Sequence, residues 1–222
     1  MFVHTLGISV CFVLGFVSTS AYAQNVGISK TAFMDHYREQ GTTTWCWASS
    51  AEMVLSFQGV KIPQDAIVTR VKGAPIQGTA DPVAMVAATN GVFDDESRKK
   101  IIISGQYVTG SPAPTVLYNQ LKHNRPVVLT YQNGPWTGHA VVLTGMDAKA
   151  TQDGVWINRF YVFDPFPYVQ VMTPFGVRLV KDASLIYQQL DLIATPIGLQ
   201  LSRAGMPIGV LSGMILMDAT NL

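Results

Sequence analysis

The chain has 222 residues, of which 48% are hydrophobic and 13% are charged, and its formal net charge is +1. This much apolar material is enough for the core of one large domain or two small ones. Lysine and arginine are scattered, which argues against a nucleic-acid partner, and no acidic tail indicates a basic partner.

Residues 1–23 have the pattern of a secretory signal peptide. An apolar run covers residues 6–17, and Ala21 and Ala23 are the small residues expected just before a cleavage site at Gln24. The run is shorter than the ~20 residues that a membrane-spanning helix requires, so no stable membrane insertion is expected. The sequence therefore predicts an exported protein that is periplasmic or extracellular.

Cleavage at this site leaves a single thiol in the mature chain, because Cys11 is removed and Cys46 remains. No disulfide can then form within the chain. An exported free thiol is open to oxidation and to intermolecular pairing, which favours a chemical role for it. The alternative is that Cys46 is only a small buried hydrophobe, as most free cysteines are.

A helix is predicted to begin at or just before Cys46. Apolar residues recur at helical spacing from Trp47 to Leu55, and Gly59 closes the segment. The three threonines at 42–44 disfavour helix and suit an extended loop that leads to it. Unpaired N–H groups and the positive end of the helix dipole favour a thiolate at such a start. Cys46 is therefore a candidate nucleophile.

Three further helices are predicted in the first half of the chain. Each has a proline at or near its first position, where the missing N–H costs nothing, and their ranges are 62–71, 82–90 and 114–122. The charged segment 94–100 is predicted to be a solvated loop. Residues 101–103 are predicted to form a short strand or to lead into one.

From Pro126 the pattern changes to strands that are separated by Gly, Pro, Asn and Asp turns. The predicted strands cover residues 127–131, 138–146, 155–163 and 169–173. Helices that precede strands are typical of an α+β fold. The sequence thus predicts an N-terminal helical half and a C-terminal antiparallel sheet half that could close a cleft between them.

The last 27 residues stand apart from this pattern. Segment 196–222 is apolar and glycine-rich, and its uninterrupted apolar run at 207–217 is too short to span a membrane. It is predicted to pack on the domain or to mediate association. The predicted organisation is a signal peptide at 1–23, one domain at 24–195 and a tail of unclear role at 196–222.

Two residues of the predicted sheet are candidate partners for Cys46. His139 lies at the mouth of an apolar strand, and Asp164 follows the next strand, where Pro165 ends the ladder. If these strands pair as a hairpin, His139 and Asp164 come to the same end of the sheet. A nucleophile, a base and a group that orients the base are the requirements of nucleophilic catalysis. The three residues are therefore a predicted catalytic triad.

At these residues the chain resembles the papain-like cysteine proteases. The motif QG at 40–41, followed after four residues by CWA at 46–48, is similar to their signature around the nucleophile. Segments 138–142 and 162–165 are similar to the corresponding strands of compact bacterial members. These members include the type III effector cysteine proteases and the peptidase domains that trim double-glycine leaders. The resemblance covers residues 40–166.

The resemblance implies a papain-like fold and a secreted cysteine peptidase. It also implies a role for Gln40, whose side-chain amide would join the backbone N–H of Cys46 in binding the oxyanion. Papain itself has asparagine as the third residue of the triad, whereas Asp164 agrees with the bacterial subset.

Two other functions remain open on these residues. A transglutaminase-like acyl transferase uses the same triad with an amine in place of water. A non-catalytic secreted binding module or toxin on a degenerate protease fold is the second, although degeneration usually breaks the triad. One thiol and dispersed histidines lack the spacing of metal ligands, so neither a metal nor another cofactor is predicted. The predicted partner is a peptide or protein substrate.

Overall fold

A computed structural model of the chain describes residues 24–95, 97–135 and 137–221. The predicted signal peptide at 1–23 lies outside the described residues. The helices are α1 (Lys30–Met34), α2 (Cys46–Phe57), α3 (Gln64–Lys72), α4 (Pro82–Thr89) and α5 (Pro114–Lys122), with a 3-10 turn at Ala183–Leu185. The strands are β1 (Gln24–Gly27), β2 (Gly91–Asp94), β3 (Lys100–Thr109), β4 (Val127–Gly134), β5 (Thr137–Thr151), β6 (Gly154–Phe163), β7 (Tyr168–Thr173), β8 (Gly176–Lys181), β9 (Tyr187–Thr195), β10 (Gly198–Arg203) and β11 (Met206–Asn221).

Six antiparallel strands close into a barrel. β4 pairs with β5, β5 with β6, β6 with β9, β9 with β10, β10 with β11, and β11 returns to β4. The two longest strands extend beyond the barrel, where β5 also pairs with β1 and β11 also pairs with β3. β7 and β8 form a separate hairpin. The barrel is the frame on which the other elements are placed.

Buried apolar side chains form two clusters, one on each side of the barrel wall. The inner cluster has members from all six barrel strands and includes Leu117 and Leu121 of α5. The outer cluster joins α1 to α4 with the outward-facing residues of β4, β5 and β11. Successive residues of a strand point to opposite sides of the barrel wall. Val127 and Val141 thus belong to the inner cluster, and Val128 and Val142 belong to the outer cluster. Helix α2 therefore packs against the outside of the barrel.

The predicted helices are present, with bounds set by their caps. α4 begins at Pro82, and the side chain of Asp81 accepts a hydrogen bond from the backbone N–H of Ala84 at 2.8 Å. α3 begins two residues later than predicted because Pro63 is its N-cap, and it ends at Gly73 in the left-handed conformation.

The prediction of a helical half followed by a sheet half is wrong as an architecture. β1 precedes every described helix, and β2 and β3 lie between α4 and α5. The predicted short strand at 101–103 is part of the ten-residue β3, which pairs with β2 and β11. Strands from both halves of the chain thus share one sheet, because pairing depends on complementary edges and not on order along the chain.

The segment set apart as a tail supplies two strands of the barrel. β10 pairs with β9 across the predicted boundary at 195, and β11 closes the barrel on β4. At Gly213 a β-carbon would collide with the hydroxyl of Tyr107, so glycine leaves room for the Tyr107 ring there. Across the described residues, no helix combines the length and hydrophobicity needed to cross a membrane.

Candidate active site

Cys46 is the first residue of α2, as predicted. The N-cap residue Trp45 makes no side-chain capping bond, so the first turn presents backbone N–H groups toward the thiol. The indole N–H groups of Trp45 and Trp47 donate to the carbonyl oxygens of Ile76 and Gly78, each at 3.1 Å. These bonds hold the loop after α3 against the start of α2. The half-buried thiol therefore sits at a rigid helix terminus.

The strands that carry His139 and Asp164 pair as the predicted hairpin. Val142 of β5 is opposite Phe163 of β6, which brings the start of β5 beside the end of β6. Nε2 of His139 lies 2.7 Å from Oδ1 of Asp164, and their side chains are only 14% and 9% exposed. The two residues thus form a charge-assisted hydrogen bond in a largely desolvated environment.

The carboxylate of Asp164 is held by two further donors. Oδ1 also accepts the backbone N–H of Phe166 at 2.8 Å, and Oδ2 accepts the side-chain amide of Gln188 at 2.9 Å. The hydroxyl of Tyr37 donates to the backbone carbonyl of Asp164 at 3.1 Å. A buried carboxylate with this set of partners has a fixed orientation, and both of its oxygens have hydrogen-bond donors.

The Cys46 thiol interacts with the His139 side chain and with the backbone N–H groups of Trp47 and Ala140. Burial alone would raise the pKa of the thiol, but the hydrogen bond and charge of His139 and the backbone donors outweigh it and lower that pKa. Burial alone would also lower the pKa of His139, whereas Asp164 and Cys46 together raise it. The pair therefore favours thiolate and imidazolium.

Gln40 lies in the loop just before α2, but its side chain bonds within that loop. Nε2 donates to the carbonyl of Thr42 at 2.7 Å, and the buried Oε1 has no hydrogen-bond partner among the described residues. The backbone N–H of Gln40 donates to the carbonyl of Pro165 at 2.9 Å, next to Asp164. Gln64 bonds to Glu39 and Gly41 on either side. The loop is thus fixed, and within the part of the chain that the structure describes Gln40 makes no hydrogen bond to Cys46 or His139.

A cleft of about 480 Å³ opens over Cys46 and His139. Its walls come from α2, the loop before α4, and the strands β3, β4, β5 and β11. Apart from His139, its described lining contains no Asp, Glu, Lys, Arg or His side chain. Among the described residues, no group of His, Cys, Asp or Glu is arranged to hold a metal ion. The thiol thus faces a concave surface on which His139 is the single described side chain that can carry a charge.

Three residues near the predicted triad were not predicted from the sequence to belong to the site. Tyr131 pairs with His139 across β4 and β5, and their rings meet edge to face with centroids 5.6 Å apart. Gln188 of β9 bonds to Asp164, and Arg203 of β10 bonds to Gln188. Leu190 and Leu192 alternate with polar residues, which is typical of a strand. This spacing would place Gln188 on the same inner face as the two leucines.

A comparison with protein-family models agrees with the cysteine chemistry of this site. A family model described as Peptidase_C39 like family matches residues 21–177, which include Gln40, Cys46, His139 and Asp164. Among solved structures, the peptidase domain of Streptococcus ComA, described as a bi-functional ABC transporter involved in quorum sensing, is similar at 13% identity with a TM-score of 0.42. That match covers 82% of this chain and 96% of the ComA domain. A comparison with curated proteins finds no match.

Proposed function

The chain belongs to the Peptidase_C39-like family and is a cysteine-type peptidase, and we propose that it hydrolyses peptide bonds through a triad of Cys46, His139 and Asp164. The observation that carries the proposal is the continuous contact from the thiol through the imidazole to the buried carboxylate. A peptidase acts on a peptide, so a peptide or protein is the substrate.

The first half of the reaction forms an acyl-enzyme. The Cys46 thiolate attacks the carbonyl carbon of the scissile bond, and the carbonyl oxygen becomes an oxyanion. Nε2 of His139 is bonded to Asp164, which leaves Nδ1 to face the thiol and to donate its proton to the leaving amine. The C–N bond then breaks, and the acyl group remains on Cys46 as a thioester.

The second half releases the acid product. Neutral His139 takes a proton from a water molecule, whose oxygen attacks the thioester carbonyl. The C–S bond breaks, and the thiolate and imidazolium of the resting enzyme are restored. Asp164 keeps the imidazole ring in place and stabilises its positive charge through both halves.

Apart from His139, the described lining of the cleft has no charged side chain. This favours substrates whose residues next to the scissile bond are uncharged. Placing a charged side chain there would remove its hydration with no opposite charge to compensate. Thr79 and Gln132 supply polar groups that can bond to an extended substrate backbone. We therefore expect cleavage between uncharged residues.

A peptide-library digest in H₂¹⁸O tests the proposed reaction. Hydrolysis inserts one ¹⁸O atom at each new carboxyl terminus, which mass spectrometry detects, and the flanking residues should be uncharged. A digest repeated with a primary amine distinguishes the acyl-transfer alternative, which would yield amide products in place of labelled acids. An intact library in the presence of folded protein would contradict both reactions and leave a binding module.

Replacing Gln40 with Ala tests the proposed oxyanion site. Nε2 carries two protons and Thr42 uses one, so the second can donate to the oxyanion. We expect kcat to fall by about 10²-fold, with KM and the rate of thiol alkylation nearly unchanged. Gln58→Ala at the other end of α2 is the control and should behave as the wild type. An equal loss of alkylation would mean that Gln40 only shapes the loop.

Export remains part of the proposal and rests on the pattern of residues 1–23. N-terminal sequencing of the protein recovered from the periplasm or medium of a bacterial host should give Gln24 as the first residue. Protein that stays in the cytoplasm with residues 1–23 attached would contradict it.

A further inference from the structure

We propose that Gln188 and Arg203 are positioning residues that fix His139 through Asp164. The proposal rests on the function proposed above, because it concerns the same triad. Neither residue lines the cleft over the thiol, so neither is placed to touch substrate. Their contribution is to hold the carboxylate in the orientation that Nε2 of His139 requires.

Gln188 is buried inside the barrel. It lies on β9 opposite Val162 of β6, on the face whose next residue, Leu190, belongs to the inner apolar cluster. It is 5% exposed. A buried amide needs partners for both of its ends, and a wrong orientation leaves donors facing donors.

Two neighbours select one orientation of the Gln188 amide. Arg203 has only donors, and its Nη1 lies 3.1 Å from Oε1 of Gln188. The carbonyl oxygen of Leu185 only accepts, and Nε2 of Gln188 donates to it at 2.8 Å. Nε2 therefore faces Asp164, where it donates to Oδ2 at 2.9 Å. A reversed amide would conflict with all three partners.

The position of the Asp164 carboxylate determines how well it supports His139. Two hydrogen bonds to Oδ1 and one to Oδ2 fix this carboxylate beside the imidazole. Losing the Gln188 donor would free the carboxylate to rotate and would weaken its support of the imidazolium. The other ionisable groups placed around this pair are Cys46 of α2, Tyr37 after α1, Tyr131 of β4 and Arg203 of β10.

Both positioning residues lie beyond the part of the chain that the family model matches, which ends at residue 177. The strands that carry them, β9 and β10, complete the barrel. The part of the chain after residue 177 therefore supplies strands that complete the barrel. It also supplies the two side chains at the outer end of the hydrogen-bond network that leads through Asp164 and His139 to Cys46.

The test is Gln188→Met, which keeps the length of the side chain and removes its hydrogen bonds. We expect kcat to fall about tenfold with KM unchanged, because the loss of one bond to a charged group has that size. The alkaline limb of the pH–activity profile should move to lower pH, since a less supported imidazolium loses its proton sooner. The rate of iodoacetamide alkylation should fall at mildly acidic pH, because less thiolate is present.

The chain offers a matched control one residue away. Gln189 lies on the same strand with its side chain exposed, so Gln189→Met makes the same chemical change without touching Asp164. It should leave kcat and both pH profiles as in the wild type. Arg203→Met should reproduce the effect of Gln188→Met, and Arg203→Lys should restore most of kcat because it keeps a donor toward Oε1.

A folded Gln188→Met protein with unchanged kcat and unchanged pH limbs would overturn the proposal. If Gln188→Met does not fold, the comparison of Arg203→Met with Arg203→Lys decides it, and equal pH profiles would overturn it. The alkylation profile reports on the thiol even without a substrate. Absence of hydrolysis by the wild-type protein would therefore count against the proposed function, while a shifted alkylation profile would still support the positioning role.

Discussion

Cys46→Ala is expected to abolish peptide hydrolysis while the protein stays folded. The thiolate forms the covalent intermediate, and no other described residue that lines the cleft is a cysteine or serine in contact with His139. Loss of the nucleophile typically costs ~10⁶-fold in kcat, so activity should fall below detection. The measurement is hydrolysis of a peptide identified in the library digest, with circular dichroism to verify the fold.

The same residue can be followed in the wild-type protein by alkylation against pH. The pKa of the thiol is lowered, so the thiolate persists as the pH falls below the ordinary cysteine pKa of about 8.5. Alkylation should therefore stay fast at mildly acidic pH and decline only when the lowered pKa is reached. His139→Ala is the matched variant, and its thiol should label only at alkaline pH. A wild-type thiol that labels no faster than free cysteine would contradict the ion pair.

We expect Asp164→Ala to lower kcat more than Asp164→Asn does. Ala removes the acceptor for Nε2 of His139 and opens a cavity, so kcat should fall by about 10³-fold, within the usual range for acid–base groups. Asn keeps an oxygen that can accept from His139. However, its amide nitrogen takes the place of Oδ2 and meets Nε2 of Gln188, so two donors face each other. We expect Asn to lose about 10²-fold, an intermediate effect.

A second substitution separates this donor conflict from the loss of charge. In Asp164→Asn with Gln188→Glu, the carboxylate at position 188 can accept from the asparagine amide and from Arg203, but it loses the bond that Nε2 of Gln188 donates to the carbonyl of Leu185. The double variant should therefore recover part of the kcat lost in Asp164→Asn, by less than the roughly tenfold that one restored bond to a charged group would give. Steady-state assays on the four proteins of this cycle give the result. An Asp164→Asn enzyme as active as the wild type would show that neither the charge nor the bond to Gln188 is used.

The sequence alone was enough to predict the local elements and the residues near them. The spacing of apolar residues after Cys46 predicted the start of α2, and proline and aspartate predicted the start of α4 at Pro82. Alternating residues predicted β5 and β6, whose short connection makes a hairpin and brings His139 to Asp164. These features depend on caps, turns and periodicity, which are properties of neighbouring residues.

How distant segments meet could not be predicted from the sequence and is set by the three-dimensional fold. The closure of the barrel by β11 on β4 joins residues about eighty positions apart, and a register of this kind leaves no local trace in the sequence. The same closure places Gln188 and Arg203 behind Asp164, and the fold of the loop turns the amide of Gln40 toward Thr42. The chemistry-bearing residues were therefore visible in the sequence, whereas the groups that orient them depend on long-range pairing.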